Sequence, residues 1–551
     1  MMSGPDDFVA ALRFVAGPRG VLTHARATRP FRVGYRQGGG AALAVVRPRT
    51  LITLWRVLQL CVDQGVIVIP QAANTGLTGG STPWGDQYDR PVIIISMMDV
   101  AGIHVIDGGR QVICLPGATL HGLQKRLRPL GREPHSLIGS SCLGASVVGG
   151  ICNNSGGTLL QRGPAYTEMA LFAQLTESGR LQLTNHLGIR LGDTPEEIIG
   201  RLERAEFLAE DVEPGGSRQG SDQDYCHRIR QIEADAPLRF NADARRLYEA
   251  SGCAGRLVVF AVRLDTFPVP EKTQVFYIGT RDPDELTQLR RHMLSRFVHL
   301  PVSAEYLHRD AFDVAERYGK DTFLAIQYLG TERLPAFFRL KGWFDARGWR
   351  TDGALQAISS LFPSHLPARL RAFRDQFEHH LILKTGDEGI AEAAEYLESV
   401  FPSASGNAFA CTTEEGNKAL LHRFAAAGAA IRYRALYGEQ VEDLLALDIA
   451  LKANDRHWRE VLPEPLLEQL VRVLYYGHFF CHVFHQDYLL KKGTDVRAFE
   501  QALLDSLDAR GAEYPAEHNV GHVYRAKPPL AAFYRSLDPC NRFNPGIGQG
   551  R

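Results

Sequence analysis

The sequence predicts an α+β protein of two or three domains, on three observations. At 551 residues the chain exceeds what a single hydrophobic core usually organises. Short apolar runs of strand length alternate with segments whose apolar residues recur at helical spacing. Two regions built almost wholly of small residues, Gln71–Ser81 and Ile138–Gly157, interrupt the first third of the chain.

Composition narrows the function classes. Lysine plus arginine equals aspartate plus glutamate at 62 each, with 45% hydrophobic and 23% charged residues. A general electrostatic grip on nucleic acid normally shows as a basic surplus, so no nucleic-acid partner is expected. Nine cysteines lie scattered without a CxxC pair, which suits a reducing compartment. The amino end is acidic (Asp6, Asp7) and has no apolar signal core, and no apolar run reaches the roughly 20 residues of a spanning helix. The expectation is a cytosolic protein, or one held at a membrane surface.

Along the chain, Leu51, Leu54, Val57, Leu58, Cys61 and Val62 predict a helix over about 50–64. A buried strand, 66–69, follows and ends at Pro70, where the first small-residue loop opens. Further strands are predicted at 92–96, 103–107 and 111–115, then a helix capped by Thr119 that carries Leu120, Leu123, Leu127 and Leu130. The stretch 211–224, with Pro214-Gly215-Gly216, reads as a mobile surface excursion, and 257–266 as a returning strand. Strand and helix recur over 267–296. From 308 to 376 eleven basic residues face eight acidic ones, with aromatics interspersed, and the remainder to about 514 is helix with strand segments before a closing tail.

In the first loop Gly76, Gly79 and Gly80 can adopt positive φ, so that successive backbone N–H groups converge on an anion. For either small-residue region alone, tight turns and close helix packing remain an equal reading. Together they favour a long phosphate-bearing ligand laid against backbone. Neither has the GxGxxG or GxxxxGK[ST] spacing, which argues against nicotinamide nucleotides and ATP.

At these regions the chain resembles the FAD-dependent oxidoreductases of the vanillyl-alcohol oxidase and p-cresol methylhydroxylase superfamily. More narrowly it resembles the bacterial respiratory, quinone-dependent D-lactate dehydrogenases. The likeness also runs through QRGPAYTE (161–168), SGCAGRLVVFAVRLDT (251–266), HRFAAAGAAIRY (422–433), 475–488 and YPAEHNVGH (514–522). It implies a two-subdomain p-cresol methylhydroxylase-type FAD-binding domain (1–265, closed by 516–551), an α+β cap or substrate domain (266–307 and 377–515) and a partly helical membrane-association segment (308–376). By resemblance FAD is held by Ala72, Ala73, Asn74, Thr75, Gly76, Gly80 and Ser81, with Gly139, Ser146 and Gly156 as a second wall and Val259 on the returning strand. Superfamily members that bond their flavin often place a histidine in the first loop. Here there is none, so non-covalent FAD is expected.

Oxidising a 2-hydroxy acid takes a base, a hydride acceptor and a cation for the carboxylate. The resemblance makes His518, in the Glu517-His518 pair, the base. Related D-2-hydroxy-acid dehydrogenases bind a metal through two histidines seven apart and the glutamate of that pair, which here gives His478, His485 and Glu517 and a divalent ion such as Zn²⁺. Relatives usually carry Gly-Asp-Gly-Asn between the two histidines, where this chain has Phe-Phe-Cys-His-Val-Phe, so histidines simply packed among aromatics remain the competing reading. Arg423, with Arg432 second, is the candidate carboxylate clamp, because a guanidinium offers a fixed fork.

The resemblance further implies D-lactate as substrate, a membrane quinone as acceptor, and peripheral attachment to the cytoplasmic face of the inner membrane. Arg333, Arg339, Lys341, Arg347 and Arg350 around Phe337, Phe338, Trp343 and Trp349 would meet an anionic lipid surface. Two other readings stand beside it: a soluble FAD dehydrogenase of another D-2-hydroxy acid using a flavoprotein or dye, and a non-catalytic nucleotide- or lipid-binding protein on the same scaffold.

Overall fold

The computed structural model describes residues 4–136, 144–213, 217–329 and 351–550. Three main sheets organise them. The first has four strands in the order Val21–Leu22, Ala44–Val46, Val92–Ser96 and Ile67–Gln71, the last three mutually parallel. These are continuous apolar runs because a parallel sheet is covered on both faces. The helix Leu51–Asp63 supplies one cover, its start fixed by Thr50 Oγ accepting from Thr53 N, a cap worth roughly 1 kcal/mol. The strand expected to end at Pro70 runs on to Gln71. It lies at the end of the strand order, where a residue without an N–H costs no ladder bond. The closing tail returns here: Val68 N donates to Arg542 O and Asn544 N to Val68 O.

The second sheet is antiparallel, in the order Leu181–Asn185, Ala170–Leu175, Val258–Asp265, Gln111–Cys114 and Ile103–Ile106. The short helix Val147–Cys152 and the helix Leu120–Leu127 cover one face, sharing a buried cluster with Val112, Cys114, Phe172 and Val262. The expected surface excursion at 211–224 holds only in part. Ser221 and Asp222 are buried, and Asp222 draws in Arg228 (2.5 Å) and Arg246 (2.7 Å), which ties that stretch to the body.

The third sheet has seven antiparallel strands: Gly406–Ala410, Thr273–Thr280, His379–Gly386, Ser303–His308, Leu470–His478, Val483–Lys491 and Val441–Ala450. The long helix Thr413–Leu436 packs across it, started by a Thr412/Glu415 capping box. Within 308–376, the helix Arg309–Tyr318 is part of this packing, with Ala311, Phe312, Val314, Ala315 and Tyr318 buried. Exposed apolar side chains begin only at Tyr328 and resume at Ile358, Leu361 and Phe362. The basic and aromatic residues expected to meet lipid, from Arg333 to Arg350, lie outside the described residues.

Candidate active site

The first glycine loop is fastened from behind by its own side chains. Gln71 Nε2 donates to Phe31 O (2.8 Å) and Ser81 O (2.6 Å), Asn74 Nδ2 to Val33 O (2.9 Å), and Ser81 Oγ to Asn74 Oδ1 (2.9 Å). Asn74 and Ser81 therefore shape the loop, leaving main chain as what it offers a ligand. Positive φ occurs at Asn74 (54°) and Gly79 (70°), and not at Gly76 or Gly80 as expected. Those two glycines have another use. A Cβ on Gly76 would meet no protein atom within 4 Å, and one on Gly80 would come no nearer than 3.6 Å, to Gly521 Cα. The protein's own packing does not demand glycine at either position, whereas close approach of a diphosphate would. Ala72, Ala73 and Thr75, just before Gly76, are half-buried.

The second small-residue region meets the first, since a Cβ on Gly149 would lie 3.4 Å from Ala72 Cβ. Ser146 accepts from Gly149 N (2.9 Å), capping its helix. Gly139 lies outside the described residues. The Val259 side chain is buried in the cluster with Val147, Phe172 and Leu257, which leaves its main chain as what this position offers a cofactor. Alternation along the strand explains this, because one face of that sheet packs on the helix at 147–152.

The segment 514–522 stitches these loops to a cluster of charged side chains. Thr78 Oγ donates to Asn519 O (2.8 Å) and His522 N to Thr78 O (3.1 Å), while Gly156 N donates to Glu517 O (3.3 Å). A Cβ on Gly156 would lie 2.7 Å from Glu517 Oε1 and 2.4 Å from Arg239 Nη2, so this glycine makes room for that ion pair. Glu517 N donates to Asp448 Oδ2 (2.7 Å). His518 thus sits between two anchored neighbours, 36% exposed, its Nε2 3.9 Å from Asp448 Oδ2.

His478 and His485 come from adjacent strands of the seven-stranded sheet, joined by the turn Phe479–Cys481. Their Nε2 atoms are 3.5 Å apart and lie 3.2 and 3.6 Å from Glu517 Oε2. The three ligand atoms fall within 4.8 Å of one another, and nothing else in the described residues forms such a group. Two imidazoles and a carboxylate are a donor set that suits Zn²⁺ or a similar divalent ion. Behind them, His478 Nδ1 donates to Glu305 Oε1 (2.8 Å), and Glu305 also accepts from the Thr158 hydroxyl. Burial resists ionisation of Glu305, yet the charges of His478 and Arg423 pull its carboxyl down to about 2. Burial likewise opposes charge on His478, and Glu305 with Glu517 raises it to about 10. Glu517 is held well below the usual carboxylate range, its burial outweighed by His478 and Arg239. Burial holds His485 well below the usual imidazole range, so the cluster favours one positive charge at His478, and a divalent cation between the Nε2 atoms would serve in place of that proton.

Arg423 enters this cluster, 3.1 Å from Glu305 Oε2 and stacked over the Tyr476 ring at 4.6 Å, with Nε left without a hydrogen bond. Arg432, the second candidate, does not: it pairs with Asp321 and Asp352, both at 2.7 Å. The residues sequence reasoning missed are Glu305, Asp448 and Arg239. For the first two a signal existed, a single acid set in an apolar strand pattern, SAEYLH and LLALDIA.

Residues 42–177 match the family described as FAD binding domain, and residues 275–551 the one described as D-lactate dehydrogenase, membrane binding. The quinone-dependent D-lactate dehydrogenase of Escherichia coli is 56% identical over 98% of this chain and 96% of its own. The chain belongs to the quinone-dependent D-lactate dehydrogenase family. Its namesake in Haemophilus influenzae is 55% identical, over 98% and 97% of the two chains. The solved structure of p-cresol methylhydroxylase with substrate bound aligns over 100% of this chain and 98% of its own, with TM-score 0.59 at 12% identity. That likeness fixes the fold as the p-cresol methylhydroxylase type. As a member of the D-lactate dehydrogenase family the chain is a flavin-dependent oxidoreductase with a membrane-binding region. Among the described residues no helix is long and apolar enough to cross a membrane.

Proposed function

We propose that this enzyme oxidises D-lactate to pyruvate where segment 516–521 joins the glycine loops to the His478–His485–Glu517 cluster, and that the electrons pass to a membrane quinone. Family membership carries the activity. The observation that carries its location is that Glu517 bonds both to Asp448 in the charged cluster and to Gly156, and Asn519 to Thr78 of the first loop, with His518 between them.

FAD, when bound, supplies the two-electron acceptor. The first loop would hold it through main chain around Gly76 and Gly80, and the absence of a histidine from 71–81 supports a non-covalent flavin. His518, with Nε2 turned to Asp448, has Nδ1 left to take the hydroxyl proton, and Asp448 steadies the imidazolium that results. Arg423, whose charge Glu305 only partly engages, orients the substrate carboxylate. His478, His485 and Glu517 would hold a divalent ion, which would act as a Lewis acid toward carboxylate and hydroxyl. We place the enzyme on the cytoplasmic face of the inner membrane against anionic lipid; the exposed Tyr328, Ile358, Leu361 and Phe362 support a peripheral contact there.

Anaerobic addition of D-lactate to the purified yellow protein tests the core of this reading. Bleaching with D-lactate, and much slower bleaching with D-2-hydroxyglutarate or D-malate, is the expected result. A flavin that stays oxidised with D-lactate and bleaches with another D-2-hydroxy acid would overturn the substrate assignment.

A further inference from the structure

Four neighbouring strands of the seven-stranded sheet repeat one arrangement from both sides. Glu305 is the cross-strand partner of His478, and Asp448 is the cross-strand partner of His485. In an antiparallel ladder directly opposed residues project from the same face, so each imidazole receives an acid from the strand outside it. The side chains complete what the register sets up. Glu305 Oε1 lies 2.8 Å from His478 Nδ1, and Asp448 Oδ1 lies 3.6 Å from His485 Nδ1. The opposite nitrogens, both Nε2, converge with Glu517 Oε2.

We propose that Glu305 and Asp448 are positioning residues, which fix Nδ1 of His478 and His485 as the protonated nitrogen and so present both Nε2 lone pairs to one divalent cation. The proposal rests on the reading that His478, His485 and Glu517 hold such an ion. A carboxylate behind an imidazole selects the tautomer, locks the ring plane and raises the basicity of the ligating nitrogen. Asp448 adds a second service, because its other oxygen accepts Glu517 N at 2.7 Å and thereby sets the third ligand. Asp448 Oδ1 is buried and makes no hydrogen bond in the present geometry, so a closer His485 Nδ1 would satisfy it as the ring swings to a cation. Thr158, from the end of the second glycine region, donates to Glu305 and ties that carboxylate to the flavin side of the seam.

The test is Zn²⁺ affinity of the chelator-stripped flavoprotein, read by competition with a chelating dye, with flavin-to-protein ratio as the folding control. Glu305→Gln and Asp448→Asn are expected to bind Zn²⁺ some 10- to 100-fold more weakly than wild type, with the flavin ratio unchanged. Glu305→Asp, which keeps a carboxylate, recovers part of the loss. Asp487→Asn serves as the charge control. Asp487 is a buried acid in the same sheet that accepts from Tyr476 Oη (2.8 Å) and stands behind neither histidine. Its variant is expected to bind as wild type does. Wild-type-like affinity in both Glu305→Gln and Asp448→Asn would overturn the positioning role and leave the ion intact. An equal loss in Asp487→Asn would overturn it in favour of general charge. A wild-type protein with no affinity for Zn²⁺, Co²⁺ or Mn²⁺ would overturn the ion and this inference together. Should Glu305→Gln fail to retain flavin, Asp448→Asn decides alone.

Discussion

His518 owes its position to its neighbours: Glu517 is bonded through its main chain to Asp448 and Gly156, and Asn519 through its own to Thr78. The imidazole can therefore be exchanged without releasing the segment. His518→Gln is expected to lower kcat by ~10²–10⁴, the range of a lost general base, while flavin content and D-lactate KM stay near wild type. A kcat within threefold of wild type, by quinone-analogue assay, would remove His518 from the chemistry. Arg423 acts on a different constant. Its guanidinium meets Glu305 at 3.1 Å, and its Nε is buried without a hydrogen bond, so a carboxylate admitted beside it would satisfy that donor. Loss of a hydrogen bond to a charged group costs roughly 1.5–3 kcal/mol, and Arg423→Ala should raise KM about 10- to 100-fold. Arg423→Lys should rescue little of it, because a point charge lacks the fork. Arg432 has no such claim. It lies about two and a half turns further along the same helix, at 3.6 residues per turn, and so on its opposite side, where Asp321 and Asp352 neutralise it.

At the scale of the element, the two glycine regions make contrasting predictions. Gly76→Ala places its methyl against no protein atom, so the flavin-free protein should keep its melting temperature. Any loss of flavin affinity then measures the approach of the cofactor itself, and fluorescence titration of stripped protein with FAD reads it. Unchanged affinity would mean the loop stands off the diphosphate. Gly156→Ala drives a methyl to 2.7 Å from Glu517 Oε1, so there the cluster is displaced and turnover falls even at saturating FAD. These elements were legible in the sequence to different degrees. The first loop could be read because close backbone approach demands small residues whatever surrounds it, and the helix 51–63 because its apolar residues recur at helical spacing. His478 and His485 could be brought together only through resemblance. Their seven-residue spacing becomes proximity because a hairpin folds between them, setting His485 opposite Tyr476. Glu305 and Asp448 left only the signal of a lone acid in an apolar strand, and Arg239 left none. They arrive from strands and loops far away in the chain, and only the order of the sheet names their partners. The direction of the Val259 side chain was likewise not legible, since strand alternation decides which way a side chain faces and a motif does not.

Over the whole molecule, the seven-stranded sheet and the helical segments beside it carry a store of buried neutral histidines that couples stability to pH. Burial lowers His365 to about 4, His379 to about 3 and His422 to about 3, with neighbouring positive charge acting in the same direction. The unfolded chain binds protons at these sites near 6.5 and the folded one does not. The contribution of these three is therefore complete above about pH 6.5 and declines as pH falls toward 3–4, by up to roughly 1.4 kcal/mol per pH unit for each histidine. Scanning calorimetry should show the melting temperature falling from pH 7 to 5, less steeply in His422→Phe, and an equal slope in that variant would dismiss this source. The same half of the chain bears the membrane contact, which sets the last expectation. Tyr328, 76% exposed, and Ile358 lie on the helices Lys320–Leu329 and Thr351–Ser360, which pack on each other, and Leu361, 83% exposed, and Phe362 follow the second. Apolar side chains gathered so openly mark an interaction surface. If this segment meets anionic lipid, as proposed, the eleven basic against eight acidic residues over 308–376 would add charge attraction that salt screens within about a nanometre. The enzyme should sediment with phosphatidylglycerol vesicles at low salt, release in part as salt rises, and bind phosphatidylcholine weakly. Leu361→Asp should weaken binding at every salt concentration, because it removes the apolar share that screening leaves in place. Binding indifferent to salt, to lipid charge and to Leu361→Asp would move the membrane contact to another face of the protein.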